Sequence, residues 1–224
     1  MIHYNYSPLQ LEVEAEKLLR RFDPERLEGP KPIDVYAVIE KCLDVPYDWK
    51  YLTPDQSVLG MTAFEGGFLW IWPKPYYEDG MFPFQIEVEK NSILIDATLT
   101  ESDNRGRENF TVMHEVFHQI LPHNRCFSSG GPDYTHRTSK NVLAYRRRKS
   151  MSSLEICEYQ ANACAAAFLM PKDAVLGQVR AYTNAMLHLS DSDDWNLTRT
   201  LAAEFNVSST AMRYRLLNLK LAIE

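Results

Sequence analysis

Three histidines and one glutamate lie within the thirteen residues TVMHEVFHQILPH, from Thr111 to His123. His114, Glu115 and His118 form the pattern H-E-x-x-H, which binds zinc when it lies on an α-helix. Residues four positions apart point to the same side of a helix, so His114 and His118 can present ring nitrogens to one cation. Glu115 is turned about 100° away from His114. Its carboxylate is poorly placed to ligate but can reach water bound to the metal.

The same pattern also occurs by chance on amphipathic helices. In that interpretation the apolar residues around it form a buried stripe, made of Phe110, Met113, Phe117, Ile120 and Leu121. Two histidines within such a stripe are costly to bury unless their ring nitrogens have partners. The five-residue match alone therefore leaves both a metal site and an ordinary core helix open.

A catalytic zinc site needs a third protein ligand and one open position. The metzincin pattern H-E-x-x-H-x-x-G-x-x-H places a glycine at position 121 and a histidine at position 124. This chain has Leu121 and Asn124 there, and His123 is one residue out of register. We therefore interpret His123 as a helix-end residue or as one that supports a ligand from outside. The remaining choice is a glutamate from a later helix.

That later helix is predicted over residues 152–170 and carries two glutamates, Glu155 and Glu158. Ser152 and Glu155 match a capping box, in which Glu155 bonds back to the backbone at the start of the helix. Glu158 lies about one turn further along and has alanines three and seven positions after it. These small residues would let the two helices pack closely and bring Glu158 to the metal. We predict Glu158 as the third ligand.

The bulk composition favours a folded protein whose main partner is not a nucleic acid. Hydrophobic residues make up 45% of the chain, and its net charge is −6. Phosphate binding needs a basic face. The N-terminus lacks the pattern of a signal peptide, and no apolar stretch is long enough to span a bilayer. The four cysteines form no C-x-x-C pair, and we expect reduced thiols in the cytoplasm.

The hydrophobic pattern predicts an α+β fold. A small twisted β-sheet packs on the H-E-x-x-H helix and on the second ligand-bearing helix, with helical N- and C-terminal flanks. The predicted elements are N-terminal helices within 8–45, a sheet within 57–100 with a hairpin around Gly66 and Gly67, and active-site helices over 109–121 and 152–170. Residues 124–150 are expected to be irregular, with a basic run at 146–149 interpreted as solvated surface or as a docking patch for an acidic partner.

The chain is expected to divide into residues 1–180, which hold the site, and a helical segment over 181–224. Residues 201–221 have the spacing of a helix-turn-helix, in which Arg213 and Arg215 would face DNA phosphates. Residues 181–224 contain four Lys/Arg against five Asp/Glu, a net charge of −1. This charge is poor for a DNA-binding face. We favour a helical buttress or a partner-docking unit and do not expect direct nucleic-acid binding.

Two stretches carry a family resemblance. ENFTVMHEVFH followed by EYQANACAAAFLMP resembles the ImmA/IrrE family of zinc metallo-endopeptidases, which typically read F-T-x-x-H-E-x-x-H and then E-x-x-A-N-x-F-A-x-x-L-L-M-P. The resemblance covers most of residues 30–172, with Cys164 and Phe168 departing from the usual phenylalanine and leucine. It implies that His114, His118 and Glu158 hold zinc and that Glu115 is the catalytic base.

The resemblance also implies a protein substrate. Members of the family often lie beside helix-turn-helix repressors, which they cleave to release transcription. We therefore expect a zinc-dependent endopeptidase that cleaves a regulatory protein, such as a helix-turn-helix repressor, with Zn²⁺ as cofactor. The alternative is a non-proteolytic anti-repressor or metal-sensing regulatory protein that acts by binding alone.

Overall fold

The helices of the chain are given by a computed structural model, which describes residues 6–101, 105–124, 136–139 and 152–224. They are α1 (Pro8–Phe22), α2 (Val35–Val38), α3 (Arg105–Ile120), α4 (Ser153–Leu169), α5 (Lys172–Tyr182), α6 (Ser192–Glu204) and α7 (Ser209–Asn218). A π-helical turn, Ile39–Leu43, continues α2, and short 3-10 turns span Pro24–Leu27 and Ala97–Leu99. None of the described helices has the length and apolar character needed to cross a membrane.

The strands are short and form small sheets. They are β1 (Tyr47–Lys50), β2 (Val58–Ala63), β3 (Gly67–Ile71), β4 (Phe84–Val88), β5 (Ser92–Asp96), β6 (His136–Ser139), β7 (Leu187–His188) and β8 (Ala222–Ile223). Four of them form a mixed sheet in the order β1-β5-β2-β6, while β3 pairs with β4 and β7 pairs with β8. This combination of helices and small sheets is the predicted α+β fold.

The predicted hairpin around Gly66 and Gly67 is wrong. The strands on either side of these glycines belong to different sheets, because β2 pairs with β5 and β6 whereas β3 pairs with β4. β2 is buried along its whole length and lies at the centre of a sheet, while β3 alternates between buried and exposed residues. The chain therefore passes from an inner to an outer layer between them. Strand propensity marks both segments, but pairing depends on long-range burial.

The two faces of the four-stranded sheet cover different layers. Ile93 and Ile95 on β5 face the main core, which includes residues of α3, α4 and α1. Leu94, which lies between them, faces the opposite way and packs with Leu69 and Ile71 of β3. The β3–β4 hairpin therefore covers the side of the sheet that faces away from α3.

The two predicted active-site helices pack directly against each other. Ser152 caps α4 and Glu155 returns a bond to the Ser152 backbone, which confirms the capping box. Ala161 and Ala165 are fully buried, as expected for a close helix–helix contact. Phe117 of α3 lies edge-on to a phenylalanine of α4 with ring centroids 6.1 Å apart. α3 begins at Arg105, four residues earlier than the predicted start at 109, and ends before Pro122.

Residues 124–150 are predicted to be irregular, and most of them, with the basic run 146–149, lie outside the described residues. Residue 124 and β6 are described, and β6 pairs with β2. A strand inside this segment was not expected from the sequence.

The C-terminal segment packs against the start of α3. Asn109 donates from Nδ2 to the carbonyl oxygen of Asn206 at 3.1 Å, in the turn between α6 and α7. Leu201, Phe205 and Met212 are buried in the same core as residues of α3 and α4. The division of the chain at residue 180 stays a prediction.

Two buried arginines join both flanks to the end of α4. Arg26 donates to the carbonyl oxygen of Leu169 at 3.2 Å, and Arg215 donates to that of Met170 at 2.9 Å. Helix ends leave carbonyl groups without helical partners, and cations are favourable there. Burial lowers the pKa of Arg26 to about 10. Arg215 is 4% exposed and forms an ion pair with Glu12, so it does not face phosphates as the DNA-binding interpretation requires.

We predict that Gly106→Ala lowers the free energy of unfolding. A Cβ atom at this position would lie 2.5 Å from the carbonyl carbon of Val207. Overpacking of this kind costs about 1–3 kcal/mol. The control is Gly177→Ala in α5, where nothing lies within 4 Å of the added atom; there alanine should raise stability by about 0.5–1 kcal/mol. Urea denaturation of both variants measures the difference, and a Gly106→Ala protein as stable as wild type would contradict the contact.

Candidate metal centre

The three predicted ligands converge on one point. The Nε2 atoms of His114 and His118 are 2.9 Å apart. Glu158 on α4 places Oε2 at 3.4 Å from the first of these nitrogens and Oε1 at 3.9 Å from the second. Both histidines are fully buried, while the Glu158 side chain is 17% exposed. Among the described residues, these three form a group whose ligand atoms all lie within 4.8 Å of one another.

The donor set fits a tetrahedral zinc ion. Metal–ligand bonds of about 2.0–2.2 Å in a tetrahedron place neighbouring ligand atoms roughly 3.4 Å apart. The two Nε2 atoms are 2.9 Å apart and Nε2 of His114 is 3.4 Å from Oε2 of Glu158, both near that value. Two imidazoles and one carboxylate leave a fourth position open, as catalytic zinc sites do. The donors also suit other divalent ions, so the set by itself identifies a metal site rather than one metal.

His114 is oriented by an asparagine on α4. Its Nδ1 atom lies 3.0 Å from Oδ1 of Asn162. An amide oxygen accepts hydrogen bonds, so the imidazole donates from Nδ1 and keeps the lone pair on Nε2. The partner on the far nitrogen therefore directs the lone pair of His114 toward the position between the ligands.

His118 is oriented through His123, the third histidine of the opening stretch. Nδ1 of His123 lies 2.7 Å from Nδ1 of His118, and its Nε2 lies 3.0 Å from Oε1 of Gln160. The amide oxygen of Gln160 accepts from Nε2 of His123, so neutral His123 accepts at Nδ1 and His118 donates to it. The lone pair of His118 is thereby left on Nε2. His123 therefore contacts the predicted ligand His118 and is not itself placed among the three predicted ligands.

Glu115 is held between α3 and the central strand of the sheet. Thr62 on β2 donates from Oγ1 to Oε2 of Glu115 at 2.7 Å. Gly60 on the same strand leaves room for the carboxylate, because a Cβ there would lie 2.8 Å from Oε1. Glu115 is fully buried. β2 therefore positions the Glu115 carboxylate in two ways: the Thr62 hydroxyl group donates to it, and Gly60 leaves space for it.

The site carries negative charge next to buried imidazoles. Burial alone lowers the pKa of His114, but the hydrogen bond to Glu158 and the charges of Glu115 and Glu158 act in the opposite direction and raise it overall. The negative charge that favours a proton on this ring also favours a metal cation at the same place.

Sequence reasoning missed the contributions of Gly60, Thr62 and Gln160 to the site. Gly60 carried one available signal: an isolated glycine within the strand-like stretch VLGMTA indicates a close approach by another group. Nothing in the local pattern points to Thr62 or Gln160, because their roles depend on contacts with distant residues.

A buried pair of histidines on one helix, a glutamate from a second helix and a glutamate beside the first histidine define a metallopeptidase-type centre. The chain matches the peptidase family model Peptidase_M78, described as the IrrE N-terminal-like domain, over residues 84–217. The match covers more than half of the chain, and the protein belongs to this family. No curated protein matches the chain.

The matched region is placed differently from the resemblance seen in the sequence. It begins at residue 84, after β3, and continues to 217 through α6 and most of α7. It includes all three predicted ligands and Glu115, while Gly60 and Thr62 lie before it. Membership supports a metallopeptidase-type function, and it does not identify the metal.

We predict that His123→Ala weakens zinc binding roughly 10- to 100-fold, the usual effect of removing a partner that orients a metal-bound histidine. Gln160→Leu should act in the same direction, because His123 would no longer be held as an acceptor toward His118. Titration against a chromophoric chelator measures the dissociation constant without relying on activity.

The matched control for these variants is His188→Ala, which removes an exposed histidine on β7. It should leave the zinc affinity unchanged. Wild-type zinc affinity in both His123→Ala and Gln160→Leu would show that the hydrogen bonds through His123 do not support the metal.

Proposed function

We propose that this protein is a zinc-dependent endopeptidase. The proposal rests on one observation above all: the ligand atoms of His114, His118 and Glu158 converge while Glu115 is anchored beside them by Thr62. Membership in a peptidase family supports the same function. In this proposal His114, His118 and Glu158 hold the zinc ion, and Glu115 is the catalytic residue.

Zinc bound by these residues would act as a Lewis acid that lowers the pKa of water and polarises the scissile carbonyl group. Glu115 accepts the proton of the attacking water and later delivers it to the nitrogen of the leaving amine. Thr62 donates to Oε2 of Glu115, and Oε1 lies next to Gly60. The hydrogen bond from Thr62 also fixes the plane of the carboxylate, which keeps Oε1 in one orientation.

We further propose that the substrate peptide lies extended beside the four-stranded sheet. Cleavage requires an accessible backbone, and an extended chain can bond to the edge of a sheet. β6 is the last described strand on one side of this sheet and pairs with β2, which carries Thr62. A peptide added beyond β6 would lie alongside the sheet in which β2 carries Thr62, the residue that contacts Glu115.

The substrate class in this proposal is a regulatory protein, with a helix-turn-helix repressor as the first choice. Its support is the resemblance of the H-E-x-x-H and E-x-x-A-N stretches to ImmA/IrrE proteins, which act on such repressors. The proposed protein acts by cleavage rather than by binding DNA, and the burial of Arg215 against Glu12 is in keeping with that.

We predict that Glu115→Gln lowers the rate of peptide cleavage by about 10²- to 10⁴-fold, the usual contribution of a general acid–base group. The amide cannot take up the proton, whereas the ligands of the metal remain. Incubation with a proteome-derived peptide library, followed by mass spectrometry of new termini, measures cleavage, and zinc content is measured on the same samples.

The matched control is Glu108→Gln on the same helix. Glu108 is 8% exposed and accepts a hydrogen bond from Tyr36 at 2.6 Å, away from the metal centre. The Glu108→Gln variant should cleave peptides at the wild-type rate. Where a helix-turn-helix repressor is encoded beside this gene, that repressor is the second substrate. If Glu115→Gln releases it from its operator as well as wild type does, the protein acts by binding alone and the peptidase proposal is wrong.

We predict that Thr62→Val lowers kcat by roughly tenfold to a hundredfold, because hydrogen bonds to charged groups contribute about 1.5–3 kcal/mol. The zinc affinity should not change, since Thr62 contacts Glu115 rather than the ligands. Thr198→Val is the matched control: Thr198 is also buried, but it bonds to a carbonyl oxygen within α6. Equal kcat values for the two variants would remove Thr62 from the proposed mechanism.

A further inference from the structure

The β3–β4 hairpin exposes a row of aromatic rings. Phe68 is 66% exposed and Trp70 is 57% exposed on the outer face of β3, while Leu69 faces the sheet and is buried. Trp72 follows two residues later, and the ring of Tyr77 lies against it with centroids 6.3 Å apart. Alternate residues of a strand share a face. We call Phe68, Trp70, Trp72 and Tyr77 the aromatic stripe.

Folding of the hairpin does not require these rings. The hairpin is held to the four-stranded sheet by its other face, where Leu69, Ile71 and Val88 are buried with Met61 and Leu94. Polar residues at positions 68 and 70 would keep that attachment and avoid exposing apolar surface to water. Contiguous exposed apolar patches commonly mark interaction sites. Large aromatic side chains are also the residues that contribute most to binding when they become covered.

The surroundings of the stripe are acidic. Residues 64–90 contain five Asp/Glu and two Lys, a net charge of −3. Both lysines are paired, Lys74 with Glu78 and Lys90 with Glu65. Glu87 lies directly opposite Phe68 in the hairpin register. Within the described part of the chain, Glu87 has no cationic partner, so negative charge borders the rings.

We propose that the aromatic stripe docks a basic, amphipathic segment of the protein substrate. Apolar side chains of that segment cover the rings, and its Lys or Arg side chains face Glu87. Arginine can also lie over the face of Trp70, where the electrons of the ring attract the cation. The acidic border disfavours nucleic acids and anionic lipid surfaces. The assignment of the segment to a substrate rests on the proposed peptidase function.

The stripe is separate from the metal centre. α3 covers the face of the sheet that carries Ile93 and Ile95, whereas the hairpin covers the face that carries Leu94. Stacked sheets lie about 10 Å apart, which places the rings roughly 15–20 Å from Glu115. An extended chain spans about 3.3 Å per residue, so at least about five residues must separate the docked segment from the cleaved bond. Docking would then raise the effective concentration of that bond at the site.

The docking test uses the zinc-loaded Glu115→Gln protein, which binds without cleaving. The probe is a designed helical peptide of leucine, lysine and arginine, and its twin carries glutamate in place of the basic residues. Fluorescence anisotropy should show binding of the basic peptide that weakens with added salt, and no binding of the acidic twin. Phe68→Thr with Trp70→Thr should raise the dissociation constant at least tenfold, and Glu87→Lys severalfold.

The control is Leu9→Gln, which removes an apolar side chain that is 72% exposed on α1. It should bind the basic peptide like the parent protein. Unchanged binding in the Phe68/Trp70 double variant, or equal binding of both peptides, would overturn the proposal. A change from dimer to monomer in the double variant, without peptide binding by the parent, would assign the stripe to a second copy of the chain and also overturn it.

Kinetics separate this proposal from the peptidase function. In the active protein the double variant should raise KM for a protein substrate while kcat stays the same, and cleavage of short peptides should not change. If the docking proposal is wrong, the protein still cleaves short peptides but does not bind the basic peptide. If the peptidase proposal is wrong, the protein still binds the basic peptide through the aromatic stripe but cleaves no peptide.

Discussion

Two imidazole lone pairs that face each other across 2.9 Å in a buried site are the constraint on which this structure depends. Asn162 and His123 hold the protons of His114 and His118 on the far nitrogens, so the facing nitrogens repel each other unless positive charge lies between them. Glu158 adds negative charge at the same point. The surrounding helices therefore hold an arrangement that a bound cation would make more favourable, which is the physical reason to expect a metal at this site.

The geometry of the candidate metal centre depends on the position of α4, because this helix carries Glu158, Gln160 and Asn162. Its start is set by the Ser152 capping box, and its end is held by arginines that come from opposite ends of the chain. The helical flanks contain no predicted ligand, but their arginines help to fix the position of Glu158 along the axis of α4. They therefore support the candidate metal centre from a distance.

Features encoded locally could be predicted from the sequence, and features that depend on long-range register could not. The spacing of His114 and His118 and the capping of α4 follow from helical geometry within a few turns. Glu158 could be chosen because Glu155 had a competing role at the cap. The pairing of β3 with β4, and the contacts of Thr62 and Gln160, require knowing which distant segments meet. Composition and periodicity contain no such information.

The contact between Gly106 and the turn at Asn206 and Val207 has an evolutionary consequence. A larger residue at position 106 would fit only if the backbone around Val207 moved away. If that backbone took another path, glycine would no longer be needed at position 106. The residue at position 106 should therefore vary with the backbone path of this turn among related chains, despite their distance in sequence. Relatives that lose the C-terminal segment would be free of this restriction, and their position 106 should drift toward ordinary helix-forming residues.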